Sequence, residues 1–448
     1  MSKPNFLILG GDHFRHDAMG WCGNPCAVTP NLDALAARSM RFTHCFNQSP
    51  VCSPARHSLA TGQYAHRHGV VSNGYAPYVG MRTVGHLFEP LGYRRINIGH
   101  MHWHAKGGEP EEPHHGFEPW ITRDGFMEGM SPAARAWRQA VQAAPVRRRT
   151  GGPAPGDRTE YPGYWDSQHA IAKLEECAAN DDPFLLWCAF SEPHPPFYPP
   201  RKYYELVPFD QVTVPEQPPA EASSHPRIAQ IRREWDHLTD HEVRQIIRAY
   251  YGLVAMLDEY IGEVLETLER LGVQDNTYIV WFADHGDQLY EHRMFLKFQM
   301  REAAVRTPLM IAGPGIEPGQ SDALVEHVDL LPTLCELAGI PIPEWNQGRP
   351  LNPLLDGQTP DDWRDAVFSQ IYDGDRMMRM IRTEEWKLNV YGEEPGELFH
   401  LAEDPDEFVD RISDPACAAV RDDLFEQLRA WYRDCAPKDF DGPRLAAL

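Results

Sequence analysis

The stretch Asn276–Asp287, NTYIVWFADHGD, decides the fold, because a run of apolar residues ends abruptly in Asp284 and His285. A continuous apolar run of this length, without alternation, predicts a strand that is buried on both faces. The same arrangement occurs at Asn5–Asp12, NFLILGGD, and at Phe184–His194, FLLWCAFSEPH. Each of these strands is therefore expected to carry polar side chains at its carboxyl end.

Helical patterns alternate with these strands along the first 360 residues. Apolar residues at a 3.6-residue period run from His237 to Leu271, and shorter helices are predicted at Pro30–Arg38 and Asp329–Ala338. Further buried strands are predicted at Arg95–Gly99 and Pro308–Ala312. The alternation predicts an α/β fold, with a mostly parallel central sheet sandwiched by helices. Open sheets of this kind bind ligands at the carboxyl ends of their strands, so the polar residues at those ends are candidate site residues.

The pattern changes after about residue 360 to short strand-like segments followed by a helix at Cys417–Cys435. The strand-like segments are Ala366–Tyr372, Met378–Thr383, Trp386–Tyr391 and Glu397–His400. We therefore predict two domains, a catalytic α/β domain at residues 1–360 and a small C-terminal α+β domain at residues 361–448. Within the first, residues 104–165 are rich in Gly, Pro, Glu and Arg and are predicted to form a loop-rich insertion.

The charge balance excludes several classes of partner. The chain has 42 Lys and Arg against 65 Asp and Glu, a net charge of −23, which argues against nucleic acid or an anionic membrane. No apolar segment is long enough to span a bilayer, and the short apolar run Phe6–Leu9 after Lys3 leads us to expect no signal peptide. The nine cysteines are odd in number and scattered, which predicts no disulfide framework and a cytoplasmic location.

The pentapeptide Cys52-Ser53-Pro54-Ala55-Arg56, followed by Thr61-Gly62, is the clearest candidate for a catalytic motif. Residues 53–60 are expected to form a helix, which places Cys52 at a helix N-terminus, where developing negative charge is stabilised. Arg56 lies one turn further on and can hold the oxygen of a nucleophile in place. Taken alone, the pentapeptide fits a buried structural cysteine equally well.

This C-x-P-x-R motif with its trailing T-G resembles the signature of the sulfatase family, in the alkaline phosphatase superfamily. Other segments resemble family landmarks in the same order along the chain, and these are Asn5–Asp12, Thr29–Leu35, Ile98–His102, Ser191–Pro195, Asp284–Asp287, Glu302–Pro308 and Glu397–Glu407. From these ordered matches the chain is identified as a member of the family. The pairing of Asp284-His285 with the G-x-M-H segment at 99–102 is most similar to the choline-sulfatase and phosphonate-monoester-hydrolase branch.

The resemblance implies a modified cysteine and one divalent cation. In the family, a formylglycine-generating enzyme oxidises the cysteine, and the hydrated aldehyde attacks the sulfur or phosphorus of a small anionic ester. The metal ligands implied here are Asp12, the formylglycine from Cys52, Asp284 and His285. Oxygen donors dominate, which favours Ca²⁺, while the imidazole leaves Mn²⁺ or Zn²⁺ open.

The resemblance also implies roles for three further side chains. His102 is the candidate base on the hydrated aldehyde, His194 the candidate acid or hydrogen-bond donor at the leaving group, and Lys297 the charge clamp on the transferred group. His100 stands where sulfatases commonly have lysine, so a titratable group replaces a fixed charge. Asn73 lies where family members often have a substrate-facing asparagine, although Asn-Gly is equally a turn sequence.

His13 follows Asp12 where the family usually has Asp or Gln, and it fits either an extra ligand or a pocket wall.

The sequence as a whole predicts a sulfuric ester hydrolase. The first alternative is a phosphonate monoester or phosphodiester hydrolase that uses the same nucleophile. The second alternative is an unmodified, non-catalytic binding protein. A homo-oligomer remains open.

Overall fold

A mixed eight-stranded sheet forms the centre of the protein. The computed structural model describes residues 3–78, 80–103, 114–119, 130–143, 150–219, 225–373 and 376–435. The strands of the central sheet are β1 Asn5–Gly11, β2 Met40–Phe46, β3 Arg94–Gly99, β4 Phe184–Ala189, β5 Thr277–Ala283, β6 Arg306–Ala312, β7 Gly319–Ser321 and β8 Val325–Glu326. They lie in the order β3-β4-β1-β5-β6-β2-β7, and β8 also pairs with β2.

The predicted mostly parallel arrangement is confirmed. Strand β1 pairs in parallel with β4 on one side and with β5 on the other, whereas β6 runs antiparallel to both β5 and β2. In this register Gly10 lies opposite Ala189, and Gly11 lies opposite Ala283. The residues that follow these three strands, including Asp12 and Asp284, therefore meet at one edge of the sheet.

Helices cover both faces of the sheet, as the sequence predicts. The helices are α1 Pro30–Ala37, α2 Cys52–Thr61, α3 Ala65–His68, α4 Val84–Phe88, α5 Pro132–Ala143, α6 Pro162–Asn180, α7 Arg201–Leu206, α8 Pro226–Arg233, α9 Asp240–Arg270, α10 Glu302–Val305, α11 Leu330–Leu337, α12 Asn352–Leu355 and α13 Ala418–Cys435. Successive residues of β1 alternate between two apolar layers, because side chains alternate along a strand. Leu7 and Leu9 belong to the layer that contains α6 and α9, and Phe6 and Ile8 belong to the layer that contains α11.

Helix α9 fixes the loop that follows β1. It begins with a capping box, in which the side chain of Thr239 accepts from the backbone N–H of Glu242 and the Glu242 carboxylate accepts in return. In the first half of the helix, the Tyr250 hydroxyl donates to the carbonyl oxygen of His13 (2.9 Å) and accepts from the backbone N–H of Arg15 (2.9 Å). A long buried helix thus holds the backbone next to Asp12.

The second sheet has four antiparallel strands, β9 Ala366–Asp373, β10 Arg376–Thr383, β11 Trp386–Tyr391 and β12 Glu394–His400. Helix α13 packs on it, with Leu428 and Trp431 in the same apolar cluster as Ile381 and Leu388. The predicted α+β character of this region is confirmed. Because Phe46 of β2 and Val367 of β9 also share one apolar cluster, the domain division after residue 360 stays a prediction.

Strand β2 and helix α5 are among the elements that have no counterpart in the sequence-based expectation. Strand β2 lies between β6 and β7, and its mixture of polar and apolar residues gives no continuous apolar run. Helix α5 lies inside the predicted insertion at 104–165. The other parts of that predicted insertion at 104–113, 120–129 and 144–149 lie outside the described residues.

All nine cysteines are free thiols. Within the part of the chain that the structure describes, no helix has both the length and the apolar character required to cross a bilayer. The cytoplasmic location and the possible homo-oligomer stay predictions.

Candidate active site

The nucleophile candidate is the first residue of α2, a helix buried along its whole length. The extended residue Val51 precedes it, and the backbone N–H of Ser53 donates to Oδ1 of Asn73 (2.9 Å). The helix ends at Gly62, whose φ of +65° is the left-handed conformation that glycine adopts without strain. The T-G that trails the pentapeptide is therefore a helix stop, and the motif delivers Cys52 to the positive end of a helix.

Three polar groups surround the Cys52 thiol. Its Sγ lies 3.6 Å from Oδ1 of Asp12 and 3.3 Å from Nε2 of His285, and Nζ of Lys297 donates to it at 2.7 Å. Burial raises the pKa of this thiol to about 12, and the charge of Asp12 acts in the same direction. Because the thiolate is the nucleophilic form of cysteine, unmodified Cys52 is a poor nucleophile at neutral pH.

The four predicted metal ligands come together at the edge of the sheet. One ligand atom from each of Asp12, Cys52, Asp284 and His285 lies within 4.8 Å of the others, and all four residues are buried. Nε2 of His285 is 3.6 Å from Oδ1 of both carboxylates. The adjacent Gly286 is required by close approach, since a Cβ at that position would lie 2.0 Å from the carbonyl oxygen of Ala303. The geometry thus matches the predicted ligand set, although the ligand roles themselves remain predictions.

Arg56 holds the outer oxygens of the two carboxylates. Its Nε donates to Oδ2 of Asp284 (2.9 Å), its Nη2 donates to Oδ2 of Asp12 (3.1 Å), and its Nη1 donates to the carbonyl oxygen of His100. The Oδ1 atoms of both acids remain turned toward His285. Arg56 therefore positions the carboxylates, and its predicted contact with the oxygen of the nucleophile stays a prediction.

The two carboxylates have different acidities. Burial raises the pKa of Asp284 to about 6, and the charge of Asp12 adds to that rise. Burial also disfavours ionised Asp12, but the positive groups His194, Lys297 and Arg56 outweigh it and hold the pKa of Asp12 well below its usual range. A cation bound between the two carboxylates would favour the ionised form of both.

The loop that carries Lys297 is held in an unusual conformation by Asp287. Leu289 and Leu296 both have positive φ, and both of their backbone N–H groups donate to Oδ1 of Asp287, at 2.8 and 3.0 Å. Such strain clusters where surrounding structure imposes a functional geometry. Lys297 is thereby placed with Nζ 2.8 Å from Nε2 of His285. Sequence reasoning gave Asp287 no role, although it closes the D-H-G-D motif.

The histidines of the G-x-M-H segment lie beside Asp12. Nε2 of His100 is 3.8 Å from Oδ2 of Asp12, and the ring centroids of His100 and His102 are 4.7 Å apart. Burial lowers the pKa of His102 to about 4, so its imidazole is neutral at pH 7 and can accept a proton. This state suits the predicted base, whose role stays a prediction.

His194 and Asn73 lie on other sides of the cluster. Nδ1 of His194 is 2.7 Å from the carbonyl oxygen of Pro195, and the His194 ring lies edge-on to His13 at 4.6 Å. Asn73 both caps α2 through Ser53 and precedes a glycine with φ of +90°. Its side chain therefore has a structural partner, and a contact with substrate stays a prediction.

A cavity of about 240 Å³ opens beside His194. Trp137 and Tyr198, whose rings meet edge-to-face at 5.2 Å, form part of its wall together with Tyr161 and Glu192. The cavity is large enough for an organic group next to the charged cluster. Helix α5 contributes Trp137 to its wall.

Known protein families and a known relative match almost the whole chain. A protein-family model described as Sulfatase matches residues 4–340, and one described as N-sulphoglucosamine sulphohydrolase, C-terminal, matches residues 290–434. A choline-sulfatase of Rhizobium meliloti (strain 1021) is 31% identical over 465 residues, which cover 96% of this chain and 87% of the relative.

Solved structures are similar over almost the whole chain. The phosphonate monoester hydrolase of Agrobacterium radiobacter has a TM-score of 0.82 at 25% identity, covering 97% of this chain and 96% of its own. A protein solved in complex with its substrate D-glucosamine-2-N,6-O-disulfate has a TM-score of 0.78 at 23% identity, covering 99% and 100% of the two chains. The second likeness concerns the fold alone.

Proposed function

The chain belongs to the sulfatase family and is a hydrolase that acts on sulfate esters, and we propose that its nucleophile is formylglycine made from Cys52. One observation carries the proposal. The Cys52 side chain begins a buried helix and is surrounded by Asp12, His285 and Lys297 within 3.6 Å. A thiol with a pKa of about 12 is inert in this position, whereas a hydrated aldehyde would supply an oxygen nucleophile.

We propose that Asp12, Asp284 and His285, together with residue 52, hold one divalent cation. The donor set fits, because two carboxylate oxygens and one imidazole nitrogen converge while Arg56 occupies the outer oxygens. When bound, the cation would polarise the oxygen of the transferred group. Oxygen donors favour Ca²⁺, and the imidazole makes Mn²⁺ and Zn²⁺ the competing ions to test.

The remaining side chains handle protons and charge. Lys297 donates to Sγ of residue 52. During the reaction it would stabilise the negative charge of the transferred sulfate. His102 is neutral and can accept the proton of the nucleophile. His194 lines the cavity beside the cluster and is placed to protonate the leaving alcohol, whose organic part would lie against Trp137 and Tyr198.

Peptide mass tests the nucleophile directly. The protein is produced with a formylglycine-generating enzyme, and the peptide that spans Cys52 is weighed and compared with turnover of an aryl sulfate. We expect a peptide lighter by the exchange of a thiol for an aldehyde oxygen. Protein from a host without that enzyme is the control and should show plain cysteine and little turnover. Full activity from a wholly unmodified peptide would overturn the proposal.

A second candidate function is hydrolysis of phosphonate monoesters or phosphodiesters with the same nucleophile. Two observations favour keeping it: the likeness to a phosphonate monoester hydrolase, and His100, which lies 3.8 Å from Asp12 where a sulfatase lysine would carry a fixed charge. The test compares kcat/KM for an aryl sulfate and an aryl phosphonate, in the wild type and in His100→Lys. We expect the sulfate to be preferred, and a clear preference for the phosphonate would select the second candidate.

A further inference from the structure

We propose a second cation site, formed by Asp12, His13 and His194, that shares the Asp12 carboxylate with the first. One ligand atom from each of these residues lies within 4.8 Å of the other two. Two residues, His13 and His194, belong to this group and not to the first one. The site does not depend on formylglycine, but it uses a carboxylate that the proposed function also uses.

His13 is oriented as metal-binding histidines usually are. Its Nδ1 is 3.0 Å from Oδ2 of Asp287, and Oδ1 of that carboxylate is itself fixed by the backbone N–H groups of Leu289 and Leu296. A histidine ligand typically donates one ring N–H to a carboxylate and directs the other nitrogen at the ion. Asp287, which also holds the loop that carries Lys297, thereby orients His13.

The second ring nitrogen of His13 is buried and unpaired. The side chain is 1% exposed, and its Nε2 has no hydrogen-bond partner among the described residues. It lies 3.9 Å from Oδ1 of Asp12, which is too far for a hydrogen bond. Ligand atoms about 2.1 Å from one ion lie roughly 3–4 Å apart. Two acceptor lone pairs therefore face each other at the separation that a shared cation would produce.

The backbone at His13 is held to maintain this orientation. Its φ is +63°, in the left-handed region that a residue with a Cβ rarely adopts. The Tyr250 hydroxyl donates to the His13 carbonyl oxygen, and the His13 N–H reaches Oδ1 of Asp284 at 3.3 Å. His13 therefore has a strained backbone, three hydrogen-bonding partners and one ring nitrogen without a partner among the described residues. This combination is typical of a binding residue.

His194 completes the site from the cavity side. With Nδ1 donating to the carbonyl oxygen of Pro195 (2.7 Å), Nε2 is the ring nitrogen that would bind the ion, and the bound ion would replace the proton that His194 otherwise donates to the leaving alcohol. Because His194 lines the cavity, an ion held here would contact the leaving-group side of a bound ester. Two imidazoles and one carboxylate favour a transition metal such as Zn²⁺ or Mn²⁺ over Ca²⁺.

Cobalt titration tests the second site without any measurement of activity. Metal-stripped protein made without cysteine conversion is titrated with Co²⁺, and bound metal per chain is measured after desalting. A Co²⁺ ion in the first site contacts the Cys52 sulfur and gives a thiolate charge-transfer band, because a coordinating thiol loses its proton. An ion in the second site gives only the weaker d–d bands. We expect two Co²⁺ per chain.

Three variants separate the sites. His13→Gln should bind one Co²⁺ and keep the charge-transfer band, whereas Asp284→Asn should lose the band and keep the second ion. Asp287→Asn, which preserves shape, should weaken the second site about 10–100-fold. His169→Gln, on helix α6, is the matched control and should bind two. Thermal midpoints of the metal-free variants verify that each is folded.

Two outcomes would overturn the proposal. One is a wild type that saturates at a single Co²⁺ per chain, and the other is a His13→Gln variant that still binds two. Neither outcome depends on turnover. Failure of the second site therefore leaves the formylglycine proposal untouched, and an unmodified Cys52 leaves the second site untouched.

Discussion

Two clusters of charge in this protein differ in which groups they bring together. In the catalytic cluster, which comprises Asp12, Cys52, Arg56, Asp284, His285 and Lys297, acceptor atoms converge on one another, with His285 Nε2 3.6 Å from Asp12 Oδ1. In the inter-sheet cluster, which comprises Arg301, Glu302, Lys387, Glu397 and Glu407, opposite charges meet. Lys387 reaches Glu302 at 3.1 Å and Glu407 at 2.9 Å, and Arg301 reaches Glu397 at 2.5 Å. The inter-sheet cluster brings opposite charges together, whereas the catalytic cluster brings acceptor atoms together, as a site for a cation does.

The comparison also explains two of the family landmarks. The segments Glu302–Pro308 and Glu397–Glu407 contain no group of the catalytic cluster, yet they also resemble family landmarks. The structure brings them together, because the backbone N–H of Glu302 donates to Oε2 of Glu407 at 2.8 Å. Motif resemblance therefore reports both chemistry and the joining of the two sheets.

A substitution in the catalytic cluster should lower the activity of the enzyme without lowering its stability. Cys52→Ala should lower kcat/KM for an aryl sulfate by about 10⁴-fold or more, the loss expected when a nucleophile is removed. Cys45→Ala, a second buried cysteine at the end of β2, is the control and should keep kcat/KM within a few-fold. The measurement is steady-state kinetics on fully converted protein. A Cys52→Ala variant with full turnover would mean that another residue is the nucleophile.

A substitution in the inter-sheet cluster should lower the stability of the protein without lowering its activity. Lys387→Met removes the cation that Glu302 and the buried Glu407 share, and removal of one partner of a buried pair typically costs about 3–5 kcal/mol. We expect the free energy of unfolding to fall by that amount, while kcat of the folded enzyme stays within about twofold. Lys202→Met, which breaks an exposed pair with Glu259, should change stability little. Equal losses in the two variants would contradict the distinction between the clusters.

Acid should weaken the inter-sheet cluster in a defined pH window. Burial disfavours ionised Glu302, but Lys387, Arg382 and Arg306 outweigh it and lower its pKa from 4.5 to about 2. The ionised carboxylate therefore stabilises the folded state above pH 4.5, and this stabilisation is lost as the pH falls from 4.5 toward 2.

Glu302→Gln removes this titration. The wild-type free energy of unfolding should fall more steeply with acid than that of the variant, by up to about 1.4 kcal/mol per pH unit within the window. Denaturant unfolding at several pH values measures the two slopes, with the exposed Glu385→Gln as control. Parallel slopes for the wild type and Glu302→Gln would show that the neighbouring cations do not stabilise the ionised carboxylate of Glu302.

Sequence reasoning located the strands of the parallel core and the ends that carry Asp12, Asp284 and His194, because continuous apolar runs and helical periodicity are local signals. It could not find β2, whose partners β6 and β7 are more than two hundred residues away in the chain. The pairing of Arg56 with the two carboxylates and of Asp287 with His13 was also beyond reach, since orientation of a side chain is set by tertiary contacts. The open nitrogen of His13 became visible only when burial and distance were known.

Asn73 is the residue at which the two kinds of role are hardest to separate, because its Oδ1 caps the helix that carries the nucleophile. If it only caps, Asn73→Ala should lower stability by about 1 kcal/mol, the usual cost of losing such a hydrogen bond, and kcat/KM by less than tenfold. Asn73→Asp keeps the acceptor and adds a negative charge at a helix N-terminus, which is favourable to the helix. We therefore expect it to regain the stability while its charge repels an anionic ester and raises KM. Denaturant unfolding and steady-state kinetics on both variants measure these effects, and a loss of kcat/KM of a hundredfold or more in Asn73→Ala at unchanged stability would instead place this side chain on the substrate.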